Sequence, residues 1–462
     1  MRPTAITFLL SFSAVSAQEA MPSFGHSRTR EAAALGVLPT PLEVAVADIV
    51  NYHRHRLPLP HGDNDVMAEL RFGNTVVGVG DEVVLQLGYT TAPGDDRADL
   101  PPLNLALVID KSGSMEEVGK MEQVKRALTA FVERLRPTDR VALVSYDAEV
   151  AIAEPSRRLD DGRWLCDAIA RLTPGGATNL HGGLIAGLRE VARHASSATS
   201  NRVLLLTDGI ANRGETDPER ILAEASEYTA EDIDLSTIGV GRSLDVTLLD
   251  RLARGGRGLF HYVADAQDIQ KVFVDEHESL VAPVARRVEA DIRLPRELEL
   301  VRVVGHAHRS TGGGDVTVAL PNLNRGVTGV LLLVCRLRCD RGAVGRVARI
   351  ESSIHYSTPG GGPRTVRAEQ QLTIGTDGQE LLRDPEVRKN YTIAVLAEGM
   401  HEMAEQAAAR RWAAADHALQ SALAFARRQF ESDDDVDVER VRLMARQYSQ
   451  TLKGYVDRFR DL

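Results

Sequence analysis

The stretch Asp110-Lys111-Ser112-Gly113-Ser114-Met115 constrains this chain most, because it directly follows the apolar run 103–109. An apolar run with β-branched residues predicts a strand buried on both faces, and Ser-Gly-Ser predicts the loop that ends it. Asp110, Ser112 and Ser114 are spaced so that their oxygens can converge at the carboxyl end of the strand, where open α/β sheets bind ligands. Oxygen ligands favour a hard cation such as Mg²⁺ or Mn²⁺. Taken alone, the stretch is explained equally well by an ordinary turn that caps the next helix.

Two further oxygen-bearing side chains also stand where predicted elements end. From 103 to about 264 apolar strands alternate with helical patterns, which is typical of a parallel sheet flanked by helices. Thr178 lies in the glycine-rich loop 174–179, and Asp208 follows the apolar strand 202–207. Because the carboxyl ends of parallel strands face one side of the sheet, we expect these side chains to share one crevice, which favours a cation site over a plain turn. The predicted site comprises Asp110, Ser112, Ser114, Thr178 and Asp208.

This order of residues, D-x-S-x-S followed by Thr and then Asp, resembles the metal-ion-dependent adhesion site of von Willebrand factor type A (VWA) domains. The surrounding motifs are similar as well: Gly-Gly-Ala-Thr-Asn at 175–179, Leu-Leu-Thr-Asp-Gly at 205–209, Ile-Gly-Val-Gly at 238–241 and Ala-Arg-Gly-Gly-Arg-Gly at 253–258. The resemblance covers roughly residues 100–280. It implies a Rossmann-like, doubly wound and mostly parallel sheet.

The resemblance also implies a role for each site residue. Ser112, Ser114 and Thr178 would contact Mg²⁺, or Mn²⁺ or Ca²⁺ in its place, while Asp110 and Asp208 would orient waters or bind directly. An open position on the ion would accept an Asp or Glu from a protein partner. Mg²⁺ bound by neutral hydroxyls keeps uncompensated positive charge, which favours such an acidic ligand. The chain also resembles bacterial secreted VWA-domain proteins, through a short N-terminal segment that ends in an Asn-Tyr-containing helix (here 50–52).

The N-terminus predicts export. Arg2 supplies a positive charge, residues 5–15 an apolar core, and Val15-Ser16-Ala17 a small-residue cleavage site, a pattern typical of a secretory signal peptide. No later segment has the ~18 uninterrupted apolar residues that a spanning helix needs. We therefore expect a periplasmic, cell-surface or secreted protein without a transmembrane segment.

Composition excludes several classes of function. The chain is 43% apolar and 26% charged, with a net charge of −10 and both signs interspersed, so nothing predicts a nucleic-acid partner. Cys335 and Cys339 lie four residues apart on a predicted strand, about 13 Å, which is too far for a disulfide. We interpret these two and Cys166 as small apolar side chains.

The remaining segments predict further domains. Residues 66–90 have a β pattern, residues 281–374 have alternating strands and glycine-rich turns typical of a β-sandwich, and residues 384–430 have apolar stripes at helical spacing. The predicted division is a signal peptide (1–17), a lead-in with a short helix at 42–52 (18–65), strands that join the sandwich (66–97), the VWA domain (103–280), the β-sandwich (281–375) and a C-terminal helical region (381–462).

Other metal-like patterns are weaker. His53 with His55, and His306 with His308, lack a third ligand, and we interpret all four as surface residues. Asp433, Asp435 and Asp437 have the opening spacing of an EF-hand, but Val438 and Met444 replace its required Gly and Glu, so we expect a solvated loop.

The leading hypothesis is an exported, non-enzymatic binding or adhesion module that engages an acidic side chain of a protein partner through the cation. One alternative is a metal-dependent phosphotransferase or hydrolase with an aspartyl nucleophile, but Ser112 replaces the second Asp that such enzymes generally have and cannot serve as acid or base. The other alternative is an assembly or chaperone component of a cell-envelope complex, which would use the same site for a different partner.

Overall fold

The structure, a computed structural model, describes residues 29–459 apart from 31, 34–35, 63, 94–100, 197, 242–243, 264–268, 270–271, 274–282, 312–313, 359–361, 377–380 and 432–434. The predicted signal peptide lies outside the described residues.

The described helices alternate with strands in the first half of the chain and follow one another at its end. The helices are α1 (Val46–Val50), α2 (Lys120–Val132), α3 (Arg163–Ala170), α4 (Leu180–Ala192), α5 (Pro218–Ala230), α6 (Val246–Gly255), α7 (Pro385–Ala408), α8 (Trp412–Gln429) and α9 (Val436–Phe459). The strands are β1 (Val66–Phe72), β2 (Val76–Gly78), β3 (Glu82–Thr91), β4 (Leu103–Asp110), β5 (Arg140–Tyr146), β6 (Val150–Arg158), β7 (Ser200–Thr207), β8 (Ile233–Val240), β9 (Arg257–Val263), β10 (Pro283–Arg293), β11 (Leu298–Val303), β12 (Arg309–Ser310), β13 (Asp315–Ala319), β14 (Leu323–Asn324), β15 (Thr328–Leu337), β16 (Val347–Ser357) and β17 (Pro363–Gly375).

The middle of the chain forms a doubly wound α/β sheet with the strand order β6-β5-β4-β7-β8-β9. Its strands are parallel except β6, which forms an antiparallel edge on β5. Every residue of β4, β7 and β8 is buried, because helices cover both faces of the sheet. One core packs α2 and α3 against one face, and the other packs α4, α5 and α6 against the opposite face.

Helix α4 lies close to the sheet because glycines face it. A Cβ on Gly187 would lie 2.2 Å from Cγ2 of Val108, and a Cβ on Gly183 would lie 2.4 Å from Cδ1 of Tyr146. Real Cβ atoms do not approach other atoms so closely, so both positions require glycine. The close approach fixes the distance between the sheet and the start of α4. It thereby positions the preceding loop, which carries Thr178.

Two sheets make the sandwich, and their strands are antiparallel except that β2 pairs in parallel with β17. One has the order β1-β3-β15-β11, and the other has the order β12-β13-β10-β16-β17-β2, with β14 paired to β10. A single apolar core lies between the sheets. The strands β1 to β3 precede the α/β sheet in the chain, and β10 to β17 follow it, so the α/β unit is inserted between two parts of the sandwich.

The outer face of the β1-β3-β15-β11 sheet is covered by the C-terminal helices. Val84, Val330, Leu332 and Val334 point to that face and share a core with α7, α8 and α9. β3 is therefore buried along nine of its ten residues, including Gln86, which accepts a hydrogen bond from Nδ2 of Asn390 at 2.9 Å.

The predicted fold class, an α/β sheet flanked by a β-sandwich and C-terminal helices, is confirmed. Among the described helices, none is both long and apolar enough to cross a membrane.

The segment before β1 is held between the sandwich and the helices. The predicted helix at 42–52 is a 3₁₀ turn, Pro41–Glu43, followed by the shorter α1. The Asn51 side chain accepts from the Val330 amide at 2.8 Å and donates to the Val330 carbonyl at 3.1 Å, as a neighbouring strand would. The hydroxyl of Tyr52 donates to the Asp437 carbonyl at 2.9 Å, which joins this segment to α9.

The prediction that His53 and His55 are surface residues is wrong. Both are buried, with ring centroids 4.6 Å apart, because the segment that carries them runs under α7. Burial is the main reason that the pKa of each ring lies below its ordinary value. His306 is half-buried, and burial lowers its pKa to about 4, whereas His308 is exposed as predicted.

Candidate functional site

The strand order places the candidate site at the topological switch point of the α/β sheet. The chain runs outward from β4 through β5 to β6 and then returns to β7 on the other side of β4. The carboxyl ends of β4 and β7 therefore flank the crevice where such sheets bind ligands. Asp110 is the last residue of β4, Thr207 is the last residue of β7, and Asp208 directly follows it.

Asp110 is a fully buried carboxylate held by two donors. One oxygen accepts the Ser112 amide at 2.8 Å, and the other accepts the hydroxyl of Thr207 at 2.6 Å. Burial raises the pKa of Asp110 to about 6, although both hydrogen bonds favour the ionised form and lower it. The fold therefore keeps Asp110 where ionisation costs free energy. A bound cation would offset this cost by stabilising the ionised carboxylate.

A chain of short hydrogen bonds links the serines to Asp208. The hydroxyls of Ser112 and Ser114 lie 3.1 Å apart, and the Ser114 hydroxyl donates to Oδ1 of Asp208 at 2.6 Å. Oδ2 of Asp208 accepts from Nζ of Lys120 at 2.8 Å. The Asp208 side chain has no exposed surface, whereas 17% of the Lys120 side chain is exposed.

Thr178 completes the cluster from the neighbouring loop. A Cβ on Gly209 would lie 3.4 Å from Oγ1 of Thr178 and 3.8 Å from Oγ of Ser114, so these two hydroxyls face one small space. The amide of Thr178 donates to Oδ1 of Asn212 at 2.8 Å, and the Asn212 amide donates back to the Thr178 carbonyl at 3.1 Å. The loops after α3 and β7 thus fix each other.

The loop after β4 is fixed to the same neighbour. The Gly113 amide donates to the Gly176 carbonyl at 3.1 Å, and the Gly175 amide donates to the Lys111 carbonyl at 2.7 Å. The Lys111 ammonium pairs with the carboxylate of Asp147, in the loop between β5 and β6. The five predicted site residues therefore lie together in one cluster of three hydroxyls and two buried carboxylates.

This donor set fits a hard divalent cation. It consists of oxygen atoms alone, and Mg²⁺ prefers oxygen ligands with few carboxylates among them. In the part of the chain that the structure describes, no three or more His, Cys, Asp or Glu side chains come together as a metal-binding group. The three hydroxyls, rather than further carboxylates, would therefore have to supply the remaining protein ligands.

Sequence reasoning missed four residues that hold the cluster: Lys111, Lys120, Thr207 and Asn212. Of these, Lys120 could have been noticed in the sequence: it is the first residue of α2, where the helix dipole disfavours a positive charge, so a nearby carboxylate is expected.

Among the described residues, the Asp-rich segment before α9 and the cysteines take no part in the site. Asp435 caps α9 by accepting the amides of Asp437 and Val438, and the three cysteines are free thiols.

A sequence model of the von Willebrand factor type A domain matches residues 104–275, which span the α/β sheet and its helices. These residues are a von Willebrand factor type A domain. The VWA domain begins one residue into β4 and contains every residue of the candidate site.

The similarity to known proteins extends beyond the VWA domain. Protein YfbK of Escherichia coli is 29% identical over 282 residues, which are 59% of this chain and 49% of that protein. Protein sll0103 of Synechocystis sp. is 27% identical over 307 residues, 62% of this chain and 71% of its own length. The chain thus matches about half of the first relative and over two thirds of the second.

The same architecture is known from a solved structure. The von Willebrand factor type A protein from Catenulispora acidiphila superposes with a TM-score of 0.58 at 18% identity, over 83% of this chain and 91% of that one. The coverage extends beyond the VWA domain, so the solved protein shares the fold of the flanking sandwich or helices as well.

Proposed function

We propose that this protein is an exported, non-enzymatic binding module whose VWA domain holds a divalent cation and uses it to engage an acidic side chain of a protein partner. The observation that carries the proposal is the convergence of Ser112, Ser114 and Thr178 with two buried carboxylates at the switch point of the sheet. The proposed ion is Mg²⁺, with Mn²⁺ or Ca²⁺ as substitutes.

The proposed ligands follow from the geometry of the cluster. Ser112, Ser114 and Thr178 would contact the ion through their hydroxyls, and Asp110 and Asp208 would bind it directly or through water. Asp110 already accepts two hydrogen bonds and Asp208 accepts two, so both carboxylates are oriented in advance. Neutral hydroxyls leave positive charge on the ion, and a partner's Glu or Asp would then complete its coordination.

The surroundings of the serines support a binding role rather than a catalytic one. A serine nucleophile needs a base within hydrogen-bond reach. In the described structure, the hydroxyls of Ser112 and Ser114 bond to each other, the Ser114 hydroxyl also donates to Asp208, and neither hydroxyl bonds to a histidine. Ser112 also stands where an aspartyl phosphotransferase generally has its second acid.

Metal binding is tested by heating the EDTA-treated protein with and without MgCl₂. We expect Mg²⁺ to raise the melting temperature of the wild type, because a ligand that binds the folded state alone stabilises it by about 2.7 kcal/mol at 100 times its Kd. Asp110→Ala should abolish the shift. Asp139→Asn is the matched control: this aspartate is also buried, but it precedes β5 at the opposite edge of the sheet. A wild type without any shift would refute the metal claim.

The partner is tested by capture from cell-envelope extract with immobilised protein. The proposal predicts a partner that is retained in Mg²⁺, released by EDTA and missing with Asp110→Ala. Retention that is equal in Mg²⁺ and EDTA would place the binding surface elsewhere. Phosphatase and esterase screens on the same preparation address the enzymatic alternative, and Mg²⁺-dependent turnover that Asp110→Ala removes would contradict the proposal.

A further inference from the structure

Lys120 has an unusual position beside the candidate site. Its Nζ lies 2.8 Å from Oδ2 of Asp208, 3.2 Å from Oε2 of Glu117 and 3.4 Å from the carbonyl oxygen of Ser114. A lysine side chain is an ammonium at neutral pH, and the Asp208 carboxylate within hydrogen-bond distance favours that charged form. A permanent cation therefore lies against one of the two carboxylates of the cluster.

The local backbone sets the distance between Lys120 and the serines. Residues Gly113–Gly119 form a 3₁₀ turn, and Gly119 ends it with a φ of 71°, in the left-handed region that favours glycine. Lys120 then begins α2, where the helix dipole disfavours a positive charge. The ion pair with Asp208 offsets this unfavourable placement.

The contact holds Asp208 in a fixed orientation. One of its oxygens accepts from Ser114 and the other from Lys120, so a cation that bound Asp208 directly would have to share an oxygen with one of these donors, and at Oδ2 it would lie beside the Lys120 ammonium. The bond to Lys120 differs from the bond to Ser114 in that it joins two opposite charges, both of them poorly exposed.

We propose that Lys120 is a positioning residue that keeps Asp208 out of direct coordination, so that the ion retains the positive charge with which it binds the partner's carboxylate. This inference rests on the proposed function, because it concerns the same ion. It predicts a trade-off: without the ammonium, Asp208 would bind the ion, metal affinity would rise, and affinity for an acidic ligand would fall.

The test replaces Lys120 with a neutral side chain of similar length, Lys120→Met, in the full chain. The control is Lys125→Met, because Lys125 lies on the same helix, forms the same type of pair with Glu122, and has the same 17% exposure as Lys120. Mn²⁺ affinity is measured by calorimetry, and the water bound to Mn²⁺ is measured by proton relaxation. Acidic-ligand affinity is measured with the peptide Gly-Gly-Glu-Gly-Gly and its Gln counterpart.

We expect Lys120→Met to bind Mn²⁺ about ten-fold or more tightly, because a positive charge next to a dication is removed. Its Mn²⁺ should hold fewer exchangeable waters, and its affinity for the Glu peptide should fall about ten-fold or more, since direct ligation by Asp208 neutralises the ion. Lys125→Met should match the wild type in all three measurements.

The outcomes separate the two proposals. A wild type that binds no Mn²⁺ refutes the proposed function. A wild type that binds Mn²⁺, with a Lys120→Met variant of equal or lower affinity and unchanged water content, refutes the role of Lys120 and leaves the metal site standing. The water measurement excludes a merely structural effect of the substitution, because loosening of the loop would not replace bound water with a carboxylate.

Discussion

Asp110→Asn should stabilise the protein in EDTA and destroy its response to Mg²⁺. The asparagine has the same shape, and its carbonyl oxygen can still accept the Ser112 amide. In the folded wild type, burial raises the pKa of Asp110 from 3.8 to about 6. A shift of about two units corresponds to roughly 3 kcal/mol of free energy by which the buried negative charge destabilises the fold.

The sign of the pH dependence follows from the direction of this shift. A carboxyl group whose pKa is raised by folding has no effect on stability below the unfolded pKa and lowers it increasingly as the pH rises through the folded value. Wild type and variant should therefore be equally stable near pH 3.5. They should differ by roughly half of the full effect at pH 5, and by the full 3 kcal/mol or so at pH 7.5.

Differential scanning fluorimetry in EDTA measures this difference. For a domain of this size, about 3 kcal/mol corresponds to a melting temperature roughly 6–12 °C higher in the variant at pH 7.5. With Mg²⁺ the wild type should gain stability and the variant should not, because the ion favours the ionised carboxylate. A variant that is less stable than the wild type in EDTA at pH 7.5, or that keeps the Mg²⁺ shift, would refute this reasoning.

Three further substitutions test the packing and ion pairs of the fold. Gly187→Ala should destabilise the VWA domain by about 1–3 kcal/mol in chemical denaturation, because its Cβ would meet β4 at 2.2 Å; an unchanged midpoint would contradict the close packing of α4. Asn51→Ala should cost about 1–3 kcal/mol and expose residues 46–56 to hydrogen exchange, because two hydrogen bonds to β15 are lost. Asp234→Ala removes a carboxylate that pairs with Arg257 at 3.1 Å and Arg202 at 3.7 Å, and should lower thermal stability by about 3–5 kcal/mol; a loss under 1 kcal/mol would show that the ion pairs contribute little.

The sequence predicts the α/β fold because its signals are local and strong. The apolar runs in β4 and β7 are long enough for strands buried on both faces, and each is followed by polar residues that end it. Once strand order is assumed, the convergence of Asp110 with Asp208 follows from the direction of parallel strands. Their roles as metal ligands remain a prediction.

Burial in the sandwich and N-terminal segment could not be predicted in the same way. Gln86 alternates with apolar residues as on a half-exposed strand, yet α7 covers it and Asn390 satisfies its side chain. His53 and His55 begin a segment that contains charged residues, Pro58 and Pro60, a composition that is typical of a surface loop. Their burial depends on helices more than 300 residues away in the chain, and no local pattern encodes that contact.

Lys120 illustrates a different limit. Its distance from Asp208 depends on a 3₁₀ turn and on the conformation of a long side chain, neither of which hydrophobic periodicity reports. The unfavourable placement of a lysine at the first position of α2 is a signal of a different kind, an electrostatic conflict that a nearby carboxylate resolves.

The most direct test of the proposed metal site is a crystal structure of the protein soaked in MnCl₂, with anomalous diffraction recorded at the manganese edge. The proposal predicts one strong anomalous peak at the carboxyl ends of β4 and β7, within about 2.0–2.4 Å of the hydroxyl oxygens of Ser112, Ser114 and Thr178. Crystals of Asp110→Ala should lack this peak. The absence of a peak at these hydroxyls in the wild type, or a peak of equal height in the variant, would contradict the proposal.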